Sequence, residues 1–234
     1  RGSLIKVDVN SNDTTGTQGT GVGSGSTTNA SGSTSVAGVR LFKSFPTLAL
    51  DTLGSTGIAD GRLMRFKVTA NSAGSVGVAQ MKFTVSTTTA TVTNLQLFAY
   101  TDSSYSSPVS GQGTSGQVGA TISAAQNGTA FTIGVGTTPV QVSAGATVYF
   151  ELRASVAGVT TGSSVVTTLQ GDSSYTSNLT SGFNVATSGA ATSTGTFVWS
   201  GNSTTTSSIH DIDWSNGYSL PGLSSSGLIQ TRSN

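Results

Sequence analysis

His210-Asp211-Ile212-Asp213 is the one place in this chain where an imidazole meets carboxylates, and His210 is the single histidine. Asp211 and Asp213 offer oxygen ligands to a hard cation. Calcium takes about six to eight oxygens, so two carboxylates make a thin site. A solvated turn ahead of Trp214 accounts for the same residues, and no metal is expected beyond Asp211 and Asp213 as weak candidates. Asp8-Val9-Asn10-Ser11-Asn12-Asp13 has the alternating oxygens of a calcium loop. Asp13 stands where that loop needs glycine and Gly19 where it needs glutamate, so the segment reads as a strand end running into polar chain. Glycoside hydrolysis needs two carboxylates facing across a cleft. Glu151, the only glutamate, sits on the polar face of a strand two residues from Arg153. That placement reads as an exposed structural ion pair. Gly21-Val-Gly-Ser-Gly25 is low-complexity sequence, with no strand-to-helix context for a serine nucleophile. No catalytic residue and no cofactor is expected.

Five Asn-x-Ser/Thr triplets mark candidate glycan acceptors at Asn12, Asn29, Asn127, Asn178 and Asn202. A chain with 39 serines and 39 threonines also produces such triplets by chance. Phe183, Phe197, Trp199, Trp214 and Tyr218 would suit a sugar-stacking platform, but in a sheet protein with few charges such rings read first as core.

The chain has 234 residues, no cysteine and a formal net charge of +1, with 8% of residues charged against about 25% in an ordinary domain. These numbers exclude a disulfide scaffold and a Cys-ligated metal. Ten basic residues scattered among nine acidic ones do not make a nucleic-acid footprint. No apolar run is long enough for a transmembrane helix. No signal peptide is expected within this sequence, since an exported protein would have lost one. With 35% hydrophobic residues the chain carries more apolar surface than disordered sequences do.

What must position these residues is a set of short strands. Ser3–Val9 alternates, with Ile5, Val7 and Val9 on one face. Residues 10–35 are Gly, Ser, Thr and Asn in composition, a linker between an N-terminal strand (residues 1–9) and a β domain (residues 36–234). In that body Met64, Phe66 and Val68 alternate with Arg65 and Lys67, and Met81, Phe83 and Val85 repeat the pattern. Ala90–Thr101 slips phase between Val92 and Leu95, the mark of a bulge. Val148, Phe150, Leu152 and Ala154 point inward from another strand, as do Val165, Thr167 and Leu169. No segment holds a helical period over three turns. The expected fold is all-β, an immunoglobulin-like or jelly-roll β-sandwich with an N-terminal extension strand.

Val39-Arg-Leu-Phe-Lys-Ser-Phe-Pro-Thr-Leu-Ala-Leu-Asp51, Arg65-Phe-Lys-Val-Thr-Ala70, Phe98-Ala-Tyr-Thr-Asp102, Val148-Tyr-Phe-Glu-Leu-Arg-Ala154 and Asp213-Trp-Ser-Asn-Gly-Tyr218 together resemble the C-terminal β domains of large cell-surface proteins from uncultured candidate phyla radiation bacteria. The resemblance covers about residues 36–234. It implies a β-rich fold and a secreted or surface location, and it brings no catalytic motif.

An amphipathic strand tethered outside the body suggests strand addition, with Leu4, Ile5, Val7 and Val9 as the assembly strand. Added to a neighbouring copy, head to tail, it builds an open filament. Added to its own domain, it closes a monomer. The expected function is a structural subunit of an extracellular, pilus-like filament or surface assembly, a homopolymer whose hydroxyl-rich surface is open to glycosylation. The alternatives are an adhesin presenting loops such as Ser103–Gly119 to glycans, and, further behind, a hydrolase using Glu151 and an aspartate.

Overall fold

A computed structural model describes residues 3–5, 18–20, 22–29, 39–134, 138–175, 195–202 and 214–234. The fold is all-β, built on two antiparallel sheets. The chain divides into two compact units, Gly2–Phe42 and Lys43–Asn234.

The Gly2–Phe42 unit holds two ribbons. β1 (Ser3–Ile5) pairs antiparallel with β4 (Val39–Leu41) through three residue pairs, Ser3 with Leu41, Leu4 with Arg40 and Ile5 with Val39. β2 (Gln18–Thr20) and β3 (Thr27–Asn29) form a hairpin whose turn uses Gly25 at φ 64°. Strand pairing therefore enters the stretch whose composition reads as linker. Val22, its one branched aliphatic side chain, is fully exposed. The compact body begins at Lys43, a few residues later than the boundary expected at Val36.

In the Lys43–Asn234 unit, β5 (Pro46–Leu50), β6 (Arg62–Ala70), β8 (Thr91–Tyr100), β9 (Gln117–Ile122) and β12 (Thr147–Ala157) make a five-stranded sheet in the order β5-β6-β12-β8-β9. The second sheet is organised around β7 (Val76–Thr88), thirteen residues long. β14 (Phe197–Ser200) and β13 (Ser164–Leu169) lie end to end along one side of it, and β11 (Val140–Val142) and β10 (Ala130–Ile133) along the other. β15 (Trp214–Ser215) extends the sheet past β14, and β16 (Leu228–Ser233) extends it past β13.

The alternating apolar residues meet between the sheets. Phe66 stacks on Phe150 within one sheet at 5.0 Å and lies 6.2 Å from Phe83 of the other. Met64, Val68, Met81, Val85, Val148 and Leu152 are buried beside them. Each such side chain removed from water contributes about 1.5–3 kcal/mol. The phase slip in β8 is a bulge at Asn94, whose φ is 51°. A second slip lies in β7, where Val198 pairs with Gln80 but Trp199 pairs with Val78. The extra residue, Ala79, brings Val76 and Val78 onto the same face as Met81, Phe83 and Val85, and all five are buried.

Arg232 ties the last strand to the other sheet's approach. Its side chain is 3% exposed. It donates to the carbonyls of Gly54, Thr56 and Arg62 and to Asp60 Oδ1 at 2.6 Å. Burial tends to raise the Asp60 pKa, but the Arg232 bond, the Arg62 amide and the two arginine charges outweigh it and hold the carboxyl below its usual value. Stability from a group whose folded pKa is depressed is present above its unfolded pKa, about 3.9, and is lost as pH falls through the folded value. Thermal unfolding between pH 7 and pH 2.5 is expected to show a decline that begins near pH 4, and Asp60→Asn is expected to make that decline shallower.

Candidate functional site

Three features of the structure bear on function: the outer face of the five-stranded sheet, a hollow beside β16, and the N-terminal strand.

On β12, Tyr149, Glu151 and Arg153 alternate with the core residues and point outward. Glu151 lies opposite Arg65 of β6 on one side and Phe98 of β8 on the other. Arg65 Nε donates to Glu151 Oε1 at 2.7 Å, Arg153 Nε donates to Oε2, and Arg62 Nε lies 3.5 Å from Oε1. Three guanidinium groups converge on one carboxylate. The expected ion pair with Arg153 is present, but the expected exposure is not, for Glu151 is fully buried. What buries it comes from elsewhere in the sequence. Arg153 also donates to the Tyr100 hydroxyl and lies over the Phe98 ring. Tyr105 packs edge-on against Tyr100 and Tyr149, with the Arg65 guanidinium 3.9 Å from its ring centre.

Tyr105 belongs to the loop after β8, and that loop is folded down onto the sheet. Asp102 organises it by accepting from the Ser104 hydroxyl at 2.6 Å and from the amides of Ser106 and Ser107. Those hydroxyl and amide bonds hold the Asp102 carboxyl far below its usual pKa. Tyr105 itself sits at φ 58°, a costly conformation for a bulky side chain. Its hydroxyl donates to Asp51 Oδ2 at 2.8 Å. Burial first, and the Asp51 carboxylate second, push the Tyr105 phenol well above its usual range. The N-terminal half of Ser103–Gly119, expected as a presented loop, is thus anchored by a buried tyrosine.

The hollow has a volume of about 580 Å³ and is lined by Asp172, Tyr218, Leu223, Ser224, Ser225 and Leu228 among others. Asp172 accepts from the amides of Thr196 and Gly217, at 2.9 and 2.8 Å, and joins the start of β14 to the turn after β15. The indole N–H of Trp199 donates to Asn216 O. Phe197, Trp199 and Trp214 are buried, whereas Tyr218 remains 45% exposed on the rim. Glu151 does not line this hollow.

The structure places the candidate residues as follows. Leu4 and Ile5 lie in β1 and pair with β4 of their own chain. Val7 and Val9, Asn12, Asn178, Phe183, His210, Asp211 and Asp213 lie outside the described residues. Asn29 ends β3. Asn127 is exposed and accepts from the Thr87 amide through its carbonyl oxygen, which leaves its nitrogen outside that bond. Asn202 differs, since its nitrogen donates to Ser75 and to Gln141 at 3.1 and 2.7 Å. A sugar on Asn202 would have to displace both bonds. No group of three His, Asp or Glu residues spaced to hold a metal occurs among the described residues. The same residues contain no helix long and apolar enough to cross a membrane.

Sequence reasoning missed the Tyr105 contribution and the Asp172 junction. A lone tyrosine in a Ser-rich loop and a lone aspartate after a strand are the faint signals they left.

The architecture defines an all-β sandwich. Comparison with known proteins adds nothing to that class, since no protein-family model and no curated protein matches the chain.

Removing one member of a buried ion pair costs about 3–5 kcal/mol because the partner charge is left uncompensated. Arg65 and Arg153 side chains are 19% and 38% exposed, so water offsets part of that cost. Glu151→Gln is expected to destabilise the body by about 2 kcal/mol. A urea melt checks this through a lowered midpoint at unchanged slope.

Proposed function

We propose that the protein is a structural subunit of an extracellular filament or related surface assembly, and that it polymerises by adding its N-terminal strand to a sheet of a neighbouring copy. One observation carries the reading. β1 belongs to the Gly2–Phe42 unit and not to the Lys43–Asn234 unit, and three residue pairs join it to β4. A two-stranded ribbon of that size is marginal in water. A wider sheet would therefore compete well for the same strand. Backbone bonds would supply affinity, and seats for Ile5, Val7 and Val9 would supply specificity. The pairing of β1 with β4 is then the resting form of the subunit, exchanged for a neighbour's sheet on assembly.

The exterior suits a surface location. Neutral hydroxyls solvate it, and Asn127 is the better placed of the two asparagine acceptors on the body whose side chains are described. The resemblance to cell-surface β domains points the same way. Deleting residues 1–10 is expected to abolish polymerisation and to leave the thermal transition of the body unchanged. Negative-stain electron microscopy and sedimentation check this, and filaments from the truncated protein would refute strand addition.

The hollow favours a second reading, an adhesin that binds a neutral glycan. Tyr218 would offer a ring face, and Asp172, Ser224 and Ser225 would offer hydrogen-bonding partners. On that reading a glycan array gives saturable binding that Tyr218→Ala lowers at least tenfold. A filament subunit alone gives none.

A further inference from the structure

We infer that the acceptor for the added strand is the outer edge of β16, at Ile229–Thr231, and that its occupant is Leu4–Val9 of a second copy. This inference rests on the strand-addition reading and assigns it a site.

The hydrogen bonds around the last strand fix which way its backbone faces. Asn234 N donates to Ser163 O, toward β13. Ser233 points the opposite way, its amide donating to Ser55 O and its carbonyl accepting from Gly57 N. In an antiparallel pair successive residues alternate between facing the partner and facing away. The β13–β16 register runs without a shift from Ser164 with Ser233 to Leu169 with Leu228. Leu228, Gln230 and Arg232 therefore bond to β13, while Ile229 and Thr231 turn their N–H and C=O groups outward. Among the described residues, only a long contact, 3.4 Å from Gln230 Nε2, reaches the Thr231 carbonyl. An edge of this kind is a template for another strand.

Two other stretches of edge are covered by described residues. β5 is capped by the turn that follows β15, with Leu48 N donating to Pro221 O and Gly222 packed against Leu48 O so closely that a Cβ would lie 1.7 Å away. β9 and β10 close on each other, where a Cβ on Gly119 would lie 2.9 Å from Gly134 N. Among the described residues, β16 is capped only at its Ser233 end. It bears no proline, lysine or bulge along its free length, Ile229 is 51% exposed, and its arginine is buried inward. The usual protections of an edge are absent from it.

The occupant follows from length and pattern. The open stretch is about three residues long, so part of the six-residue segment Leu4–Val9 suffices to fill it. With Ile5, Val7 and Val9 on the inner face beside half-buried Leu228, the donor's Lys6 and Asp8 fall on the outer face beside Ile229 and Thr231. Leu228, at that end of β16, also lines the hollow. The 33 residues from Asn10 to Phe42 span at most about 110 Å when extended, so length does not forbid exchange between copies.

Thr231→Pro tests the edge selectively. Proline removes an N–H that bonds to nothing among the described residues, which edge strands tolerate, whereas Gln230→Pro breaks a bond to β13. The full-length Thr231→Pro protein is expected to keep its circular dichroism spectrum and to lose at least tenfold in sedimentable polymer. Since the chain has no cysteine, Lys6→Cys combined with Thr231→Cys or Ile229→Cys gives a clean second test. Oxidised, one of these pairs is expected to run as a ladder of covalent oligomers on a non-reducing gel, even if the proline variant fails to fold. Normal polymer from a folded Thr231→Pro protein, or assembly without a ladder from either cysteine pair, overturns the β16 edge and leaves strand addition standing. A cross-link confined to monomer overturns exchange between copies. Wild-type protein that stays monomeric at high concentration overturns strand addition itself.

Discussion

The body depends on one long strand. β7 runs thirteen residues, and four other strands bond directly to it, two on each side. None of those four exceeds six residues, and none would persist alone in water. The bulge at Ala79 lets this one strand present a single buried face along its whole length despite the change of partners. Phe83, on that face, meets Phe66 and so joins the second sheet to the first.

Charge is scarce, and where it occurs it fastens the chain together. All five carboxylates among the described residues accept hydrogen bonds. Asp51 holds Tyr105, Asp60 holds Arg232, Asp102 shapes a loop, Glu151 gathers arginines and Asp172 joins β14 to a turn. In water an exposed ion pair is worth little. Under a covering ring or beside a strand these contacts gain strength from a lower local dielectric. A surface of serine and threonine can then stay neutral while the few charges set loop and strand geometry.

On the proposed reading, sheet edges decide how copies of the molecule meet. The turn at Pro221–Gly222 closes the β5 edge, while among the described residues no backbone group bonds the outer edge of β16 at Ile229 and Thr231. The tethered strand and the open edge lie at opposite ends of the chain, one before the linker and one at the C-terminus. On the proposed strand addition, passing the strand from copy to copy gives an open filament, whereas reciprocal exchange between two copies closes a pair.

Alternation alone was enough to read the all-β class and the inward residues of β6, β7 and β12, because a strand with one dry face must repeat every second residue. The slip at Val92–Leu95 likewise announced the Asn94 bulge. The Ala79 bulge escaped, since Val76 and Val78 suit either face of a strand in a sequence. β16 escaped for a related reason, its edge position leaving Leu228 and Gln230 half-buried and the pattern faint. Burial of Glu151 was beyond reach of any local pattern. A polar residue between two core residues reads as exposed, and only the fold brings Tyr105 and the arginines over it. Periodicity reports which face a side chain takes. What covers that face is set by chain segments distant in sequence, through contacts that exist only once the sheets have formed.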